Sequence, residues 1–128
     1  YGIAIAIEPL RREECNILNY VSEAVLLSAL LDLPEIGVLG DTHHMACGGE
    51  PVAALVYAGR LLKHVHISHS MGDEGGRDYP YEGDGNDHKA LFDALKQIDY
   101  QGRVSIEAGC KDFMADGAKA LALMQSLR

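Results

Sequence analysis

The 128-residue chain is 48% apolar and 23% charged, enough for one domain with its own core and too apolar for a disordered segment. Its 11 basic residues stand against 19 acidic ones, and the net charge of -8 repels nucleic-acid backbones and anionic membranes. Phosphate polymers are thereby excluded as first partners, and small polar substrates are favoured.

The chain opens at Tyr1 rather than Met, directly in an apolar run, so it is expected to begin inside a longer protein. Gly2–Glu8 is nearly continuous in apolar residues, as in a strand covered on both faces. A polar loop, Pro9–Cys15, follows. Ile17, Val21, Ala24, Val25 and Leu31 then recur at helical spacing, with Pro34 just past the helix end. The second strand is expected over Ile36–Asp41. Gly48-Gly49-Glu50-Pro51 is a loop whose proline suits a first helical turn, and a helix over Val52–Ala58 stops at Gly59. Lys63–Ser68 reads as the third strand. Residues 69–87 form a long loop rich in Gly and Asp, of a length that in compact domains is usually functional or mobile. Asp87 caps a helix over His88–Ile98, Arg103–Glu107 is the fourth strand, and Asp112–Leu127 is the closing helix.

Four strands alternating with helices predict βα units on a parallel sheet, with no linker or low-complexity tract between them. An eight-unit barrel takes about 250 residues, so the expected fold class is α/β, a (β/α) TIM barrel of which four units are present. Four strands leave two open edges, which a missing half or a second copy must cover. Cys15, Cys47 and Cys110 are odd in number and lack C-x-x-C spacing, which argues against a disulfide framework or a structural zinc site and fits a reducing cytoplasm. No apolar run approaches a membrane span, and the opening segment is too short and unflanked for a signal peptide.

Chemistry in such sheets collects at the carboxyl ends of the strands. Here the four strands end at Glu8, at Asp41, around His64 and His66, and at Glu107. Taken singly, each is more simply a solvated residue or a helix cap. Four successive strands ending in ligand-type residues form a joint pattern, oxygen-rich with one imidazole. That donor set suits manganese, magnesium or cobalt, zinc being the remaining option.

Glu8-Pro9-Leu10-Arg11-Arg12-Glu13-Glu14, Asp41-Thr42-His43-His44-Met45, His64-Val65-His66-Ile67 and Val104-Ser105-Ile106-Glu107 resemble the xylose isomerase-like TIM-barrel superfamily. Within it they are most similar to ketose 3-epimerases of the tagatose/psicose type and related sugar-phosphate isomerases. The Glu8-to-Asp41 spacing agrees without a gap and Asp41-to-His66 to within a residue. The likeness implies that residues 1–128 are a single domain, the C-terminal half of such a barrel. It also implies a divalent metal held by Glu8, Asp41, His66 and Glu107. Glu8 and Glu107 would be the catalytic pair, moving a proton beside a carbonyl through a metal-stabilised enediolate. Glu14, His44 and Arg77 would contact a sugar or sugar phosphate. Arg77 takes this role only with an insertion in the loop after His66, and Arg11 stands where the family often has Asn.

Rival readings within the fold are an inosose dehydratase-like or a hydroxypyruvate isomerase-like enzyme. An endonuclease IV-like phosphodiesterase conflicts with the acidic charge and with His66. An inactive half-barrel is the reading of another class. His43 and Met45 are expected to pack, and His69 and His88 to lie on the surface.

Overall fold

The structure is a computed structural model that describes residues 2–72 and 76–128; Tyr1, and Asp73, Glu74 and Gly75 of the expected 69–87 loop, lie outside the described residues. In chain order the elements are β1 (Ile5–Ile7), α1 (Val21–Leu31), β2 (Ile36–Asp41), α2 (Thr42–Cys47), α3 (Leu55–Ala58), β3 (Leu62–Ile67), β4 (His69–Ser70), β5 (Arg77–Asp78), α4 (His88–Gln97), β6 (Arg103–Ile106) and α5 (Phe113–Leu127). Strands β1, β2, β3 and β6 make one sheet in that order, every pair parallel. The chain is thus an α/β arrangement of four βα units, as the alternation of patterns predicts.

The side-chain period of a strand sorts the sheet into two faces. Val38, Val65 and Ile67 point to the helical layer and are fully buried against Val21, Ala24, Leu55, Ala58, Leu91, Phe92 and Leu95. The alternate residues Glu8, Asp41, His66 and Glu107 point to the other face. Two glycines let β2 sit at the centre of this packing. A Cβ on Gly37 would come 2.2 Å from the Leu61 carbonyl oxygen, and one on Gly40 would come 2.3 Å from Leu55 Cδ2.

Several expected boundaries move, each for a local reason. Strand β1 covers only Ile5–Ile7 of the expected Gly2–Glu8, because β2 offers it partners only at Ile36, Gly37 and Val38. Helix α1 begins at Val21, leaving Ile17 exposed in the preceding turn. The Asn19 amide donates to the carbonyls of Leu10 and Cys15, both at 2.6 Å, and stabilises that turn instead. Glu23 then reaches back to the backbone N–H of Asn19 and Tyr20, at 2.7 and 3.0 Å, and starts the helix.

Helix α2 is an element the apolar pattern does not announce. It exists because Asp41 Oδ1 accepts from the His43 and His44 amides at 2.7 and 3.3 Å. The single helix expected over Val52–Ala58 is instead a 3-10 turn, Val52–Ala54, running into the one-turn α3. The expected loop 69–87 also contains structure: β4 and β5 pair antiparallel, and Asp78 of β5 bridges to Gly109 beyond β6. Helix α4 is capped as expected, Asp87 accepting from the Ala90 amide, and Asp112, expected inside the closing helix, instead caps α5 by accepting from the Met114 and Ala115 amides.

Candidate metal centre

The carboxyl ends of β1, β2, β3 and β6 bring Glu8, Asp41, His66 and Glu107 together. One possible ligand atom from each lies within 4.8 Å of all the others. His66 Nδ1 is the hub, 2.9 Å from Glu107 Oε2 and 3.4 Å from both Glu8 Oε1 and Asp41 Oδ2. Asp41 is almost wholly buried, with 1% of its side chain exposed, whereas Glu107 keeps 45% in solvent. Among the described residues, Glu8 Oε1, His66 Nδ1 and Glu107 Oε2 are buried polar atoms with no hydrogen-bond partner. The contact between His66 and Glu107 is close in distance without being a hydrogen bond, so proximity alone does not satisfy these atoms.

Charge and burial act on the cluster in opposite directions. Burial raises the Glu8 carboxyl above its ordinary value, reinforced by the nearby negative charges of Asp41 and Glu107. Burial works on Asp41 the same way but is outweighed. The charges of His44 and Arg77 and the hydrogen bond from the His43 amide hold it below the usual carboxylate range. His44 is pushed down by its burial, with Arg77 adding to the effect and the carboxylates opposing it.

The three residues expected to meet a substrate surround this cluster. Glu14 sits in the loop after β1, where the Arg11 guanidinium donates to it at 2.6 Å and lowers its pKa. The charges of His44 and Arg77 also reach its carboxyl. His44 is buried on α2, and its Nδ1 accepts from the Arg11 amide at 3.4 Å. Arg77, carried on β5, turns to the cluster itself, with Nη1 2.8 Å from Asp41 Oδ2 and 3.0 Å from Glu107 Oε2.

His43 and Met45 pack, as expected: both are buried, and His43 Nδ1 lies 3.0 Å from Ser70 Oγ. The surface positions expected for His69 and His88 are wrong. His88 is buried and bonded to the equally buried Asp84 at 2.6 Å, while His69 Nδ1 meets the Asn86 amide at 2.9 Å. These groups staple the 69–87 segment. The Asp84-to-His88 spacing, one helical turn, is the signal in the sequence for this pair. None of the three cysteines forms a disulfide among the described residues; Cys15 and Cys47 are half-buried and Cys110 is exposed. No helix among the described residues is long and apolar enough to cross a membrane.

A family model described as the xylose isomerase-like TIM barrel matches residues 1–128. An L-ribulose 3-epimerase of Methylomonas sp. (strain DH-1) is 35% identical over 109 residues, covering 84% of this chain and 36% of that protein. A 3-dehydro-D-guloside 4-epimerase of Escherichia coli (strain K12) is 32% identical over 107 residues, covering 83% and 38%. Among solved structures, a D-allulose 3-epimerase from Methylomonas sp., crystallised with D-allulose, is similar with a TM-score of 0.84 at 28% identity. That match covers 99% of this chain and 49% of the other. The chain therefore spans about half the length of that structure and a smaller share of the two curated relatives.

Proposed function

The chain belongs to the xylose isomerase-like TIM-barrel family, and we propose that it supplies the metal- and substrate-binding half of a divalent-metal-dependent sugar isomerase or epimerase. Residues 1–128 are, in this reading, a single domain equivalent to the C-terminal half of the barrel. The open edges of β1 and β6 are then covered by an N-terminal half or by a second copy. The observation that carries the reading is the convergence of Glu8, Asp41, His66 and Glu107, with three of the converging atoms buried and without a hydrogen bond among the described residues, Glu107 Oε2 having only its ion-pair contacts.

A buried polar atom left unpaired costs about 1–3 kcal/mol. A divalent cation satisfies all three at once. Three carboxylates and one imidazole suit manganese, magnesium or cobalt, and manganese is our first choice. Bound here, such an ion supplies Lewis-acid polarisation of a carbonyl and its neighbouring hydroxyl.

Glu8 and Glu107 are the acid–base pair. They stand on the two outer strands of the sheet, with Asp41 and His66 between them. One carboxylate removes the proton beside the carbonyl, and the other returns a proton on the opposite face. The burial that raises Glu8 makes it a stronger base than an exposed glutamate. Glu14 and His44 bind hydroxyls at the rim and Arg77 one beside the cluster, where its guanidinium also suits a phosphate. The names of the relatives, epimerases of L-ribulose and D-allulose among them, support a ketose as substrate. Cysteines held outside disulfides suit a cytoplasmic protein.

The test is ketose epimerisation with Mn²⁺, assayed on the 128-residue chain and on a protein carrying the N-terminal half as well. The completed barrel is expected to turn over only with metal, and Glu8→Gln or Glu107→Gln to lose at least about 10²-fold in kcat. The short chain is expected to bind metal with little or no turnover. Full activity of the short chain as a monomer would refute the half-barrel reading.

A further inference from the structure

Arg77 touches the cluster at its centre. The oxygens it contacts, Asp41 Oδ2 and Glu107 Oε2, are the same two that face His66 Nδ1 at 3.4 and 2.9 Å. Its guanidinium therefore supplies positive charge where three carboxylates crowd together.

The arm that carries it is tied down on both sides. The Gly109 amide donates to the Arg77 carbonyl and the Tyr79 amide to the Gly109 carbonyl, both at 3.2 Å, joining β5 to the loop that follows Glu107. Ser70, opposite Arg77 in the β4–β5 ribbon, meets His43 of α2 through its hydroxyl. The ribbon is thus anchored to the segments that carry both of its carboxylate partners. The family resemblance marks Arg77 as a candidate substrate contact and says nothing of this position.

We infer that Arg77 is the resident counter-ion of the cluster and competes with a divalent cation for Asp41 and Glu107, so that loading the ion and releasing the guanidinium are one linked event. The inference rests on the metal reading of the site given above. A cation shared by these oxygens and a guanidinium bound to two of them repel each other. One must therefore weaken the other, and by linkage Arg77 lowers the affinity for the ion. Without the ion, the carboxylates stay charge-balanced and the guanidinium stays engaged. With it, Arg77 is freed from the oxygens that hold it.

The experiment is a calorimetric titration of Mn²⁺ alone into the 128-residue chain and into Arg77→Met and Arg77→Lys, each checked for native circular dichroism. Arg77→Met is expected to bind Mn²⁺ about tenfold more tightly than the parent. Its metal-free form is expected to melt lower, and Mn²⁺ to raise its melting temperature by more. Arg77→Lys keeps a charge without the planar fork and is expected to bind about threefold more tightly, within the usual range of such couplings. It carries the test if the methionine variant does not fold. Unchanged or weaker binding in a folded variant overturns the inference, because a group that only braces the ligands loses affinity when removed. No Mn²⁺ binding by the parent or either variant removes the metal reading itself, a separate failure.

Discussion

Asp41 performs two tasks with two oxygens. Oδ1 caps α2 through the His43 and His44 amides, while Oδ2 faces His66 and Arg77. A substitution separates them. Asn caps a helix about as well as Asp, so Asp41→Asn is expected to keep the cap, to lose metal-free stability only through its ion pair with Arg77, and to lower Mn²⁺ affinity at least about tenfold. Asp41→Ala loses the cap as well, about 1 kcal/mol more in urea unfolding.

Asp84 is the second residue whose chemistry makes a testable claim. Burial works to raise its carboxyl, but the hydrogen bond with His88 and those from the Asn86 and Tyr81 amides outweigh it and hold it below the ordinary aspartate value. A carboxyl with a folded pKa below the unfolded one stabilises the native state above the unfolded value, and that contribution is lost as pH falls through the folded one. Asp84→Asn is therefore expected to cost about 1–3 kcal/mol near pH 7. The gap between variant and parent should close as urea titrations move to pH values below the ordinary aspartate range. A gap constant with pH would show that the carboxylate charge contributes nothing.

At the scale of elements, legibility followed the source of each element's stability. Strand β2 and helices α4 and α5 matched their apolar pattern and acidic caps to within a residue or two, since those signals are local. Helix α2 and the β4–β5 ribbon were not legible. The first depends on a strand-end carboxylate turning to cap, the second on a backbone bridge to Gly109, distant in sequence. The glycines of β2 test how closely these elements pack. Gly37→Ala drives a methyl into a backbone carbonyl, and Gly40→Ala drives one into the flexible end of Leu55. Both are expected to destabilise, Gly40→Ala by about 1–3 kcal/mol and Gly37→Ala by more, because the backbone cannot step aside. Equal losses in urea denaturation would contradict this account.

Across the whole molecule, apolar side chains remain uncovered near both outer strands. Ile3 and Ile5 at β1, Leu26 and Leu30 on α1, and Phe113 and Leu121 on α5 are all more than half exposed. Helix α1 has apolar residues around its whole circumference, the pattern of a helix buried on every side. In the short chain, replacing Leu26 and Leu30 together with Glu is expected to shift stability by no more than about 0.5 kcal/mol per site while reducing binding of an apolar dye. The same pair in a completed barrel is expected to cost several-fold more, since the positions then face a neighbour. Equal effects in both contexts would mean that nothing covers this face.

The sequence by itself determined the alternation of strands and helices, the parallel α/β class and a ligand-type residue at every strand end, with the choice of His66 over His64 left to the family resemblance. Those follow from periodicity of two, from cap residues and from the rule that side chains at alternate positions share a face, all read over short stretches. Only the tertiary structure decided that Glu8, Asp41, His66 and Glu107 share one point, that Arg77 lies on two of them, that His88 is buried and that His69 is partly so. Each of those depends on register between strands and on contacts spanning up to tens of residues. Local propensity carries no information about distances of that kind.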